Sequence, residues 1–148
     1  MITWANPLIA EIKSGYVYFT REWQTGDILE INADLPVLRI YSNLAVGGNA
    51  GQVCLQRGPV VYCFEEEDNK APLAALRLPA DSEITATKIA DGALKGITAL
   101  SAKGIRETGS NELYSEKPPK PEPITLKAIP YHTWSNRGLG EMRVWIRE

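Results

Sequence analysis

The chain consists of short runs of aromatic and β-branched residues, which glycine, proline and charged residues interrupt at short intervals. Predicted strands recur about every 8 to 12 residues, a spacing typical of sandwiches and jelly rolls. Apart from residues 71–78, whose apolar spacing also allows a helical turn, no long segment has helical periodicity. The sequence therefore predicts an all-β fold, an antiparallel β-sandwich or jelly-roll-like domain, organised as one sandwich or as two small packed sandwiches.

The first half of the chain predicts a β-hairpin followed by further strands. Residues 16–23 are rich in residues that favour strands, and a polar segment with a glycine at 24–27 leads into a second apolar run at 28–32. Pro36 ends that run, because proline cannot donate to a central ladder. Additional strands are predicted at residues 37–41, 52–56 and 60–65.

A Gly-Pro pair interrupts the run at 52–65, where we expect a bulge or a crossing between sheets. The four acidic residues at 65–68 are predicted as a solvated turn, with a calcium or catalytic site as the alternatives. This acidic run also marks a predicted division into residues 1–68 and residues 69–148. Strands of the second part are predicted at residues 74–78, 84–89, 96–101, 124–131 and 142–147, and the proline-rich residues 114–123 are predicted as an extended surface loop.

Composition limits the classes of function. The 148 residues suit one domain or two small ones, and a formal net charge of -2 offers no basic face for nucleic acid. No apolar run reaches the roughly 20 residues of a membrane span, and the N-terminus lacks signal-peptide features, so we expect a cytoplasmic location. Cys54 and Cys63 are too far apart for a zinc-ligand pair. Both are predicted to be buried free thiols, with a disulfide as the alternative.

The candidate contact residues lie in one segment near the C-terminus. They are Tyr131, the single histidine His132, Trp134 and Arg137. The aromatic rings offer flat faces for the apolar C–H face of a sugar, and the same set would also suit contact with a neighbouring domain. Arg137 would then pair with a carboxylate or stack on a ring. The alternative for His132 is a packed or hydrogen-bonded structural residue.

Other side chains have a structural interpretation. Trp23 and Trp145 lie within predicted strands and are expected in the core, since aromatic residues bury the most area. Arg57 lies in the middle of a β run, either as an edge charge or as the buried partner of an acid, because an unpaired buried charge would be costly. The sequence predicts no catalytic, cofactor-binding or metal-binding residue.

Two blocks of sequence resemble the C-terminal, all-β part of the β-L-arabinofuranosidase family, glycoside hydrolase family 127. They are LQRGPVVYCFE at residues 55–65 and AIPYHTWSNRG at residues 128–138, the second leading into EMRVW at residues 141–145. The family has an (α/α)6 barrel followed by two β-sandwich domains, and the barrel does not fit in this chain. The resemblance implies that residues 1–68 are the remnant of a first sandwich and residues 69–148 a second, C-terminal one.

Family members remove L-arabinofuranose from oligosaccharides with a zinc-held cysteine and glutamates of the barrel. Neither Cys54 nor Cys63 has the neighbouring ligands of that site, so the resemblance implies zinc only in the absent catalytic domain and no cofactor in this chain. It implies a non-catalytic module that braces the barrel and mediates subunit contacts, with the missing barrel or a second copy of the chain as partner. The alternatives are a carbohydrate-binding module for arabinose-containing glycans and an enzyme complete in itself.

Overall fold

The computed structural model describes residues 10–30 and 34–148. The chain divides into two compact units, Met1–Leu35 and Pro36–Glu148. The predicted boundary after residue 68 falls inside the second unit, because residues 62–64 pair with residues 128–130 in one sheet. Strands on the two sides of that boundary therefore share a ladder, and the division between units does not coincide with the prediction.

The N-terminal unit contains a two-stranded antiparallel sheet. Strand β1 (Ala10–Lys13) pairs with strand β2 (Tyr16–Phe19) across a two-residue turn. Both turn residues, Ser14 and Gly15, have positive φ angles, 51° and 82°, as a type I′ turn requires. The hairpin thus lies earlier in the chain than the sequence predicts.

The hairpin predicted around residues 24–27 is wrong. These residues do form a turn, in which the amide of Asp27 donates to the carbonyl of Gln24 at 3.1 Å. The amide of Gln24 in turn donates to the Asp27 carboxylate at 3.0 Å, so the turn is closed by its own side chain and needs no flanking ladder. Residues 28–30 are not a strand, and residues 31 and 32 of the predicted strand lie outside the described residues.

The second unit is almost entirely β, which confirms the all-β class. Its strands are β3 (Val37–Ile40), β4 (Gln52–Arg57), β5 (Val60–Glu65), β6 (Leu76–Arg77), β7 (Ile84–Lys88), β8 (Thr98–Thr108), β9 (Lys120–Pro130), β10 (Met142–Arg143) and β11 (Ile146–Arg147). Helix α1 (Glu66–Asn69) has a single turn, and short 3-10 turns lie at Gly47–Asn49, Leu73–Ala75 and Tyr131–Thr133. No helix of the described residues is long and apolar enough to cross a bilayer.

Strands β3 to β11 form one hydrogen-bonded sheet within the described part of the chain. The pairings run β5–β9–β8–β6–β11–β4, and β4 pairs with β5 again, so these strands form a closed circuit. Strands β3, β7 and β10 extend the circuit beside β4, β8 and β5. Neighbours are antiparallel except β11 and β6, which are parallel. Closure wraps the sheet round one interior, as the layers of a sandwich do, and protects the edges of the circuit strands.

Gly58 and Pro59 form the turn of a tight hairpin between β4 and β5. Arg57 lies opposite Val60, so only these two residues join the strands. Gly58 has a φ of 56°, the left-handed value that the first central position of a type II′ turn takes. The run at 52–65 is therefore two antiparallel strands, and the predicted bulge or crossing is wrong.

The main core fills the interior of this circuit. Tyr62 and Phe64 of β5 are 2% and 1% exposed, and the Tyr62 hydroxyl donates to the carbonyl of Thr98 at 3.1 Å. Aliphatic members of this core are Val53, Leu55, Leu73, Leu76, Leu78, Leu100, Leu126 and Ile146. Cys63 points to the opposite face of β5 and belongs to a smaller core with Leu94, Ala99 and Ile129. Cys54 and Cys63 are both buried and free, as predicted, and the alternative of a disulfide is wrong.

Strands of the second half lie near their predicted positions but differ in length. β8 and β9 each extend over 11 residues, because they pair with each other from residues 100 and 128 to residues 108 and 120. The last residues of the predicted proline-rich loop, 120–123, therefore belong to β9. The predicted strand at 142–147 is divided into β10 and β11, which pair with β5 and β4 respectively. Near residues 74–78 the sequence allowed either a strand or a helical turn. Both occur, since the 3-10 turn at Leu73–Ala75 leads directly into β6.

Candidate functional site

The loop at residues 131–141 carries all four predicted contact residues. It begins after β9 with the 3-10 turn over Tyr131–Thr133. Thr133 is 6% exposed, and its hydroxyl donates to the carbonyl of Pro130 at 2.7 Å, which fixes the turn to the end of the strand. Ser135 then has a φ of 63°, a left-handed conformation that changes the direction of the chain.

Tyr131, His132 and Trp134 are exposed on this loop. Tyr131 and Trp134 retain 48% and 43% of their surface. Their ring centroids lie 6.4 Å apart and their planes differ by 19°, an offset and nearly parallel arrangement that aromatic pairs favour. The loop thus presents two flat apolar rings and one imidazole to solvent.

Arg137 points inward and joins two buried carboxylates. Its Nη1 and Nη2 donate to Asp68 Oδ1 and Oδ2 at 2.6 and 2.5 Å, and Nη2 also donates to Glu65 Oε2. Lys127 Nζ donates to Asp68 Oδ1 at 2.7 Å. We call Glu65, Asp68, Lys127 and Arg137 the Arg137 cluster. The predicted pairing of Arg137 with a carboxylate is confirmed.

Backbone groups complete the Arg137 cluster. The amide of Ser135 donates to Glu65 Oε1 at 2.8 Å. The buried side chain of Asn69 donates to the carbonyls of Glu65 and Lys127 at 2.8 and 3.0 Å and accepts from the Lys127 amide at 2.9 Å. These bonds join β5, α1, β9 and the loop, and they supply the partners that a buried ion pair requires. Among the described residues, Nε of Arg137 is a buried atom of the cluster without a hydrogen-bond partner.

In the Arg137 cluster, hydrogen bonds and opposite charges stabilise the ionised forms of Asp68 and Arg137. Burial is the largest influence on Asp68 and opposes its ionisation, but hydrogen bonds and charges from Arg137 and Lys127 outweigh it. The pKa of the Asp68 carboxyl therefore lies below its ordinary value. The hydrogen bond to Asp68 raises the pKa of the Arg137 guanidinium above its ordinary value in spite of burial. Asp68 and Arg137 are both charged at neutral pH.

The acidic run at residues 65–68 is a solvated turn only in part. Glu66 and Glu67 are exposed as predicted, whereas the side chains of Glu65 and Asp68 are each 6% exposed. The prediction is wrong for these two because α1 begins directly after β5. Glu65 is the extended N-cap residue of α1 and Asp68 is its third helical residue, two positions that lie on the same side of a helix start, and here both face the protein.

The residues present do not fit a zinc site of the kind that the resemblance implies for the barrel. Burial, assisted by the charges of Glu65 and Asp68, raises the pKa of the Cys63 thiol to about 12, whereas zinc binds the thiolate. The neighbouring carboxylates are already bound by Arg137. Across residues 10–30 and 34–148, no three His, Cys, Asp or Glu side chains are grouped to hold a metal ion.

Glu141 fixes the end of the loop, a role that the sequence predictions did not assign to it. Its Oε2 accepts from the amide of Leu73 and its Oε1 from Nε of Arg143, both at 2.9 Å. Its own amide donates to Glu66 Oε2 at 3.1 Å, and its carbonyl accepts from the Glu66 amide at 2.9 Å. The Leu73 amide, followed by Arg143, lowers the pKa of the Glu141 carboxyl. Both ends of the loop are therefore bonded to the sheet unit.

Three further side chains lie outside this site. Trp23 is 53% exposed and lies 5.1 Å from the guanidinium of Arg21, so the predicted core position is wrong. Trp145 is partly buried. Arg57 is also partly buried, and within the described ranges no ion pair joins it to an acid.

The described architecture is that of an all-β sandwich domain, in which an ion-paired cluster supports an exposed aromatic loop. Residues 37–147 match the model of the glycoside hydrolase family 127 C-terminal domain, and the chain belongs to this family. The resemblance carried by the two sequence blocks is thereby confirmed.

Relatives with known structures or activities are much longer than this chain. It is 35% identical to the non-reducing end β-L-arabinofuranosidase of Bifidobacterium longum subsp. longum, over 96% of this chain and 23% of that protein. A crystal structure of a family 127 β-L-arabinofuranosidase from Geobacillus stearothermophilus T6 is 42% identical with a TM-score of 0.74, over 93% of this chain and 22% of that one. A further family 127 β-arabinofuranosidase structure is 27% identical with a TM-score of 0.77, over 93% of this chain and 21% of that one. The chain thus spans under a quarter of these relatives.

Proposed function

We propose that this chain is a non-catalytic C-terminal β module of a β-L-arabinofuranosidase-like glycoside hydrolase. In that setting it braces the catalytic barrel and contributes to subunit contacts. The family match and the small share of each relative that the chain covers support this role. The observation that carries the proposal is the exposed apolar face of the β1–β2 hairpin.

The two faces of this hairpin differ in character. Ile12 and Val17 are direct cross-strand partners and share one face, while Lys13 and Tyr16 share the other. Ile12 is 75% exposed and Val17 is 41% exposed. An isolated two-stranded hairpin is marginally stable in water, so a hairpin with such a face gains stability from apolar surface that covers it.

Ion pairing in the second unit supports a non-catalytic role. A glycosidase normally needs two carboxylates that face the scissile bond. The buried carboxylates Glu65 and Asp68 instead turn into the protein, where Arg137 binds both of them. Carboxylates held in this way are not available to protonate or attack a sugar.

The proposed occupant of the apolar hairpin face is the part of a longer parent that carries the barrel, and a second copy of the chain is the other candidate. Both would bury Ile12 and Val17 against apolar surface, which stabilises the complex by the hydrophobic effect. We also propose a cytoplasmic location, which two buried free thiols support because a reducing compartment maintains that state.

Sedimentation velocity tests the docking role. The purified chain is mixed with the Geobacillus relative from which the matching segment has been removed, and a complex should form. Ile12→Lys should prevent the complex, because it places a charge in the buried face. The matched control Tyr16→Lys changes the opposite face and should have little effect. A chain that forms neither this complex nor a dimer at high concentration would contradict the proposal, as would release of arabinose by the chain alone.

A further inference from the structure

We infer that Tyr131 and Trp134 form a stacking platform that binds a sugar ring of a neutral glycan. This activity goes beyond the proposed bracing role, which depends on the hairpin of the N-terminal unit. Three properties of the loop favour sugar binding, namely the geometry of its rings, its anchoring, and the chemistry of the exposed residues around it.

The two rings offer faces of similar orientation. Their planes differ by only 19° and their centroids are 6.4 Å apart in a stacked pair, in which each ring keeps exposed surface for a ligand. About half of each side chain is covered by protein, which holds the ring in place, and the other half remains open. A sugar ring has an apolar C–H face that packs on a flat aromatic surface of this kind.

The platform is preorganised. On one side of Trp134 the hydroxyl of Thr133 donates to the carbonyl of Pro130, and on the other the Ser135 amide donates to the buried carboxylate of Glu65. Two residues further on, Arg137 is held by the carboxylates of its cluster. A loop fixed in advance loses little conformational entropy when a ligand binds.

The rim of the platform suits hydroxyl groups. His132, Ser135 and Asn136 are exposed, neighbour the two aromatic residues in sequence, and supply both donors and acceptors. The adjacent cation, Arg137, has its charge directed to buried carboxylates and away from the rim. A neutral polyhydroxyl ligand matches this surface, whereas a stable protein partner would need a much larger contact area.

The identity of the sugar rests on the proposed function, since the relatives are β-L-arabinofuranosidases. We therefore expect an L-arabinofuranosyl oligosaccharide to bind. NMR titration of the 15N-labelled chain with this oligosaccharide should give saturable shifts of the amides in residues 131–137. The expected Kd is on the order of 1 mM, as suits a small open site.

Variants of the rings identify the contact surface. Trp134→Ala and Tyr131→Ala should each raise Kd about tenfold or more, because each removes one stacking face. Tyr131→Phe keeps the ring and should leave Kd unchanged. Trp23→Ala is the matched control, since it removes an exposed tryptophan from the other unit.

Spectra of each variant should keep the dispersed signals of the buried core, which separates loss of binding from loss of folding. Absence of any shift with neutral glycans, or an equal effect of Trp23→Ala, would overturn the platform. Saturable shifts only with a glycan lacking arabinose would support the platform and overturn the assigned sugar. Trp134→Ala should still form the complex seen by sedimentation, so failure of this inference can be told from failure of the proposed function.

Discussion

The Arg137→Met variant removes the cation from two buried carboxylates. The side chains of Glu65 and Asp68 are each 6% exposed, so water cannot replace the lost guanidinium. Removing one partner of a buried ion pair costs about 3–5 kcal/mol. Asp68 keeps its bond from Lys127 at 2.7 Å, and Glu65 keeps its bond from the Ser135 amide at 2.8 Å. We therefore expect the free energy of unfolding to fall by an amount near the lower end of this range, about 3 kcal/mol.

The size of this loss should depend on pH. The pKa of Asp68 is lowered in the folded protein, so its contribution to stability is present above the unfolded value and is lost as pH falls through the folded value. In the Arg137→Met variant the same carboxyl lacks its bidentate partner, and its pKa rises. That carboxyl then takes up a proton on mild acidification, which relieves the buried charge. The difference in unfolding free energy between wild type and variant should shrink as pH falls from 7 toward about 4.

Urea unfolding at several pH values measures both effects. Arg143→Met is the matched control, because Arg143 and Glu141 form a pair whose side chains are 39% and 35% exposed. The control should cost about 0.5 kcal/mol. Adding Asp68→Asn to Arg137→Met should recover part of the loss, since an amide needs no counterion. A loss no larger than that of the control, or one independent of pH, would refute the desolvation argument.

Three further predictions concern separate features. Gly104→Ala should lower the free energy of unfolding by about 1–3 kcal/mol in urea, because its Cβ would overlap the Leu126 side chain and lie 2.9 Å from the Arg77 carbonyl. Gly109→Ala, with nothing within 4 Å, is its control, and equal stability of the two variants would count against the argument. Burial raises the pKa of the Cys63 thiol to about 12, so the thiol should resist a thiol reagent in the native state and react after unfolding. Mass spectrometry measures the labelling, and a Cys63 that is labelled in the native state would be inconsistent with this prediction. Glu141 should titrate below its ordinary pKa in carboxyl-carbon NMR, because the Leu73 amide and Arg143 favour its charged form. Its stabilising contribution is present above the unfolded pKa and is lost as pH falls through the folded one, and a midpoint at the ordinary value would disprove the assignment.

Strand positions could be predicted from composition because β-branched and aromatic runs favour a pleated surface wherever they pack. The strand predicted at 37–41 and the one predicted at 84–89 correspond to β3 and β7. Strand lengths could not be predicted, since β8 and β9 extend each other by pairing across the sheet. The hairpin was misplaced because two glycine-containing turns compete, and the one at Gly15 has the φ values that a two-residue turn demands.

The site was predictable in kind and only partly in detail. The exposed aromatic residues of the loop follow from their position before a Ser-Asn-Arg-Gly turn. For Arg137 the sequence allowed either a carboxylate partner or stacking on a ring, and the structure shows the carboxylate partner. Its actual partners, Glu65 and Asp68, lie 72 and 69 residues away in sequence. The one available signal is that two acids three residues apart follow a strand end, which places both on one side if a helical turn begins there. Nothing local distinguishes this from a solvated acidic turn.

The closed circuit of strands also sets an order on biosynthesis. Strand β11 pairs with β4 and β6 through Ile146 and Arg147, so the circuit cannot close until these residues have left the ribosome. Until then the first residues of β4 lack a partner, and the core lacks the side chain of Ile146. The nascent chain thus carries an open sheet edge while most of the unit is already outside the exit tunnel, and this interval is when mispairing with other chains is most probable. Strands β3, β4 and β5 can pair in chain order, but closure of the circuit is completed only after translation of β11.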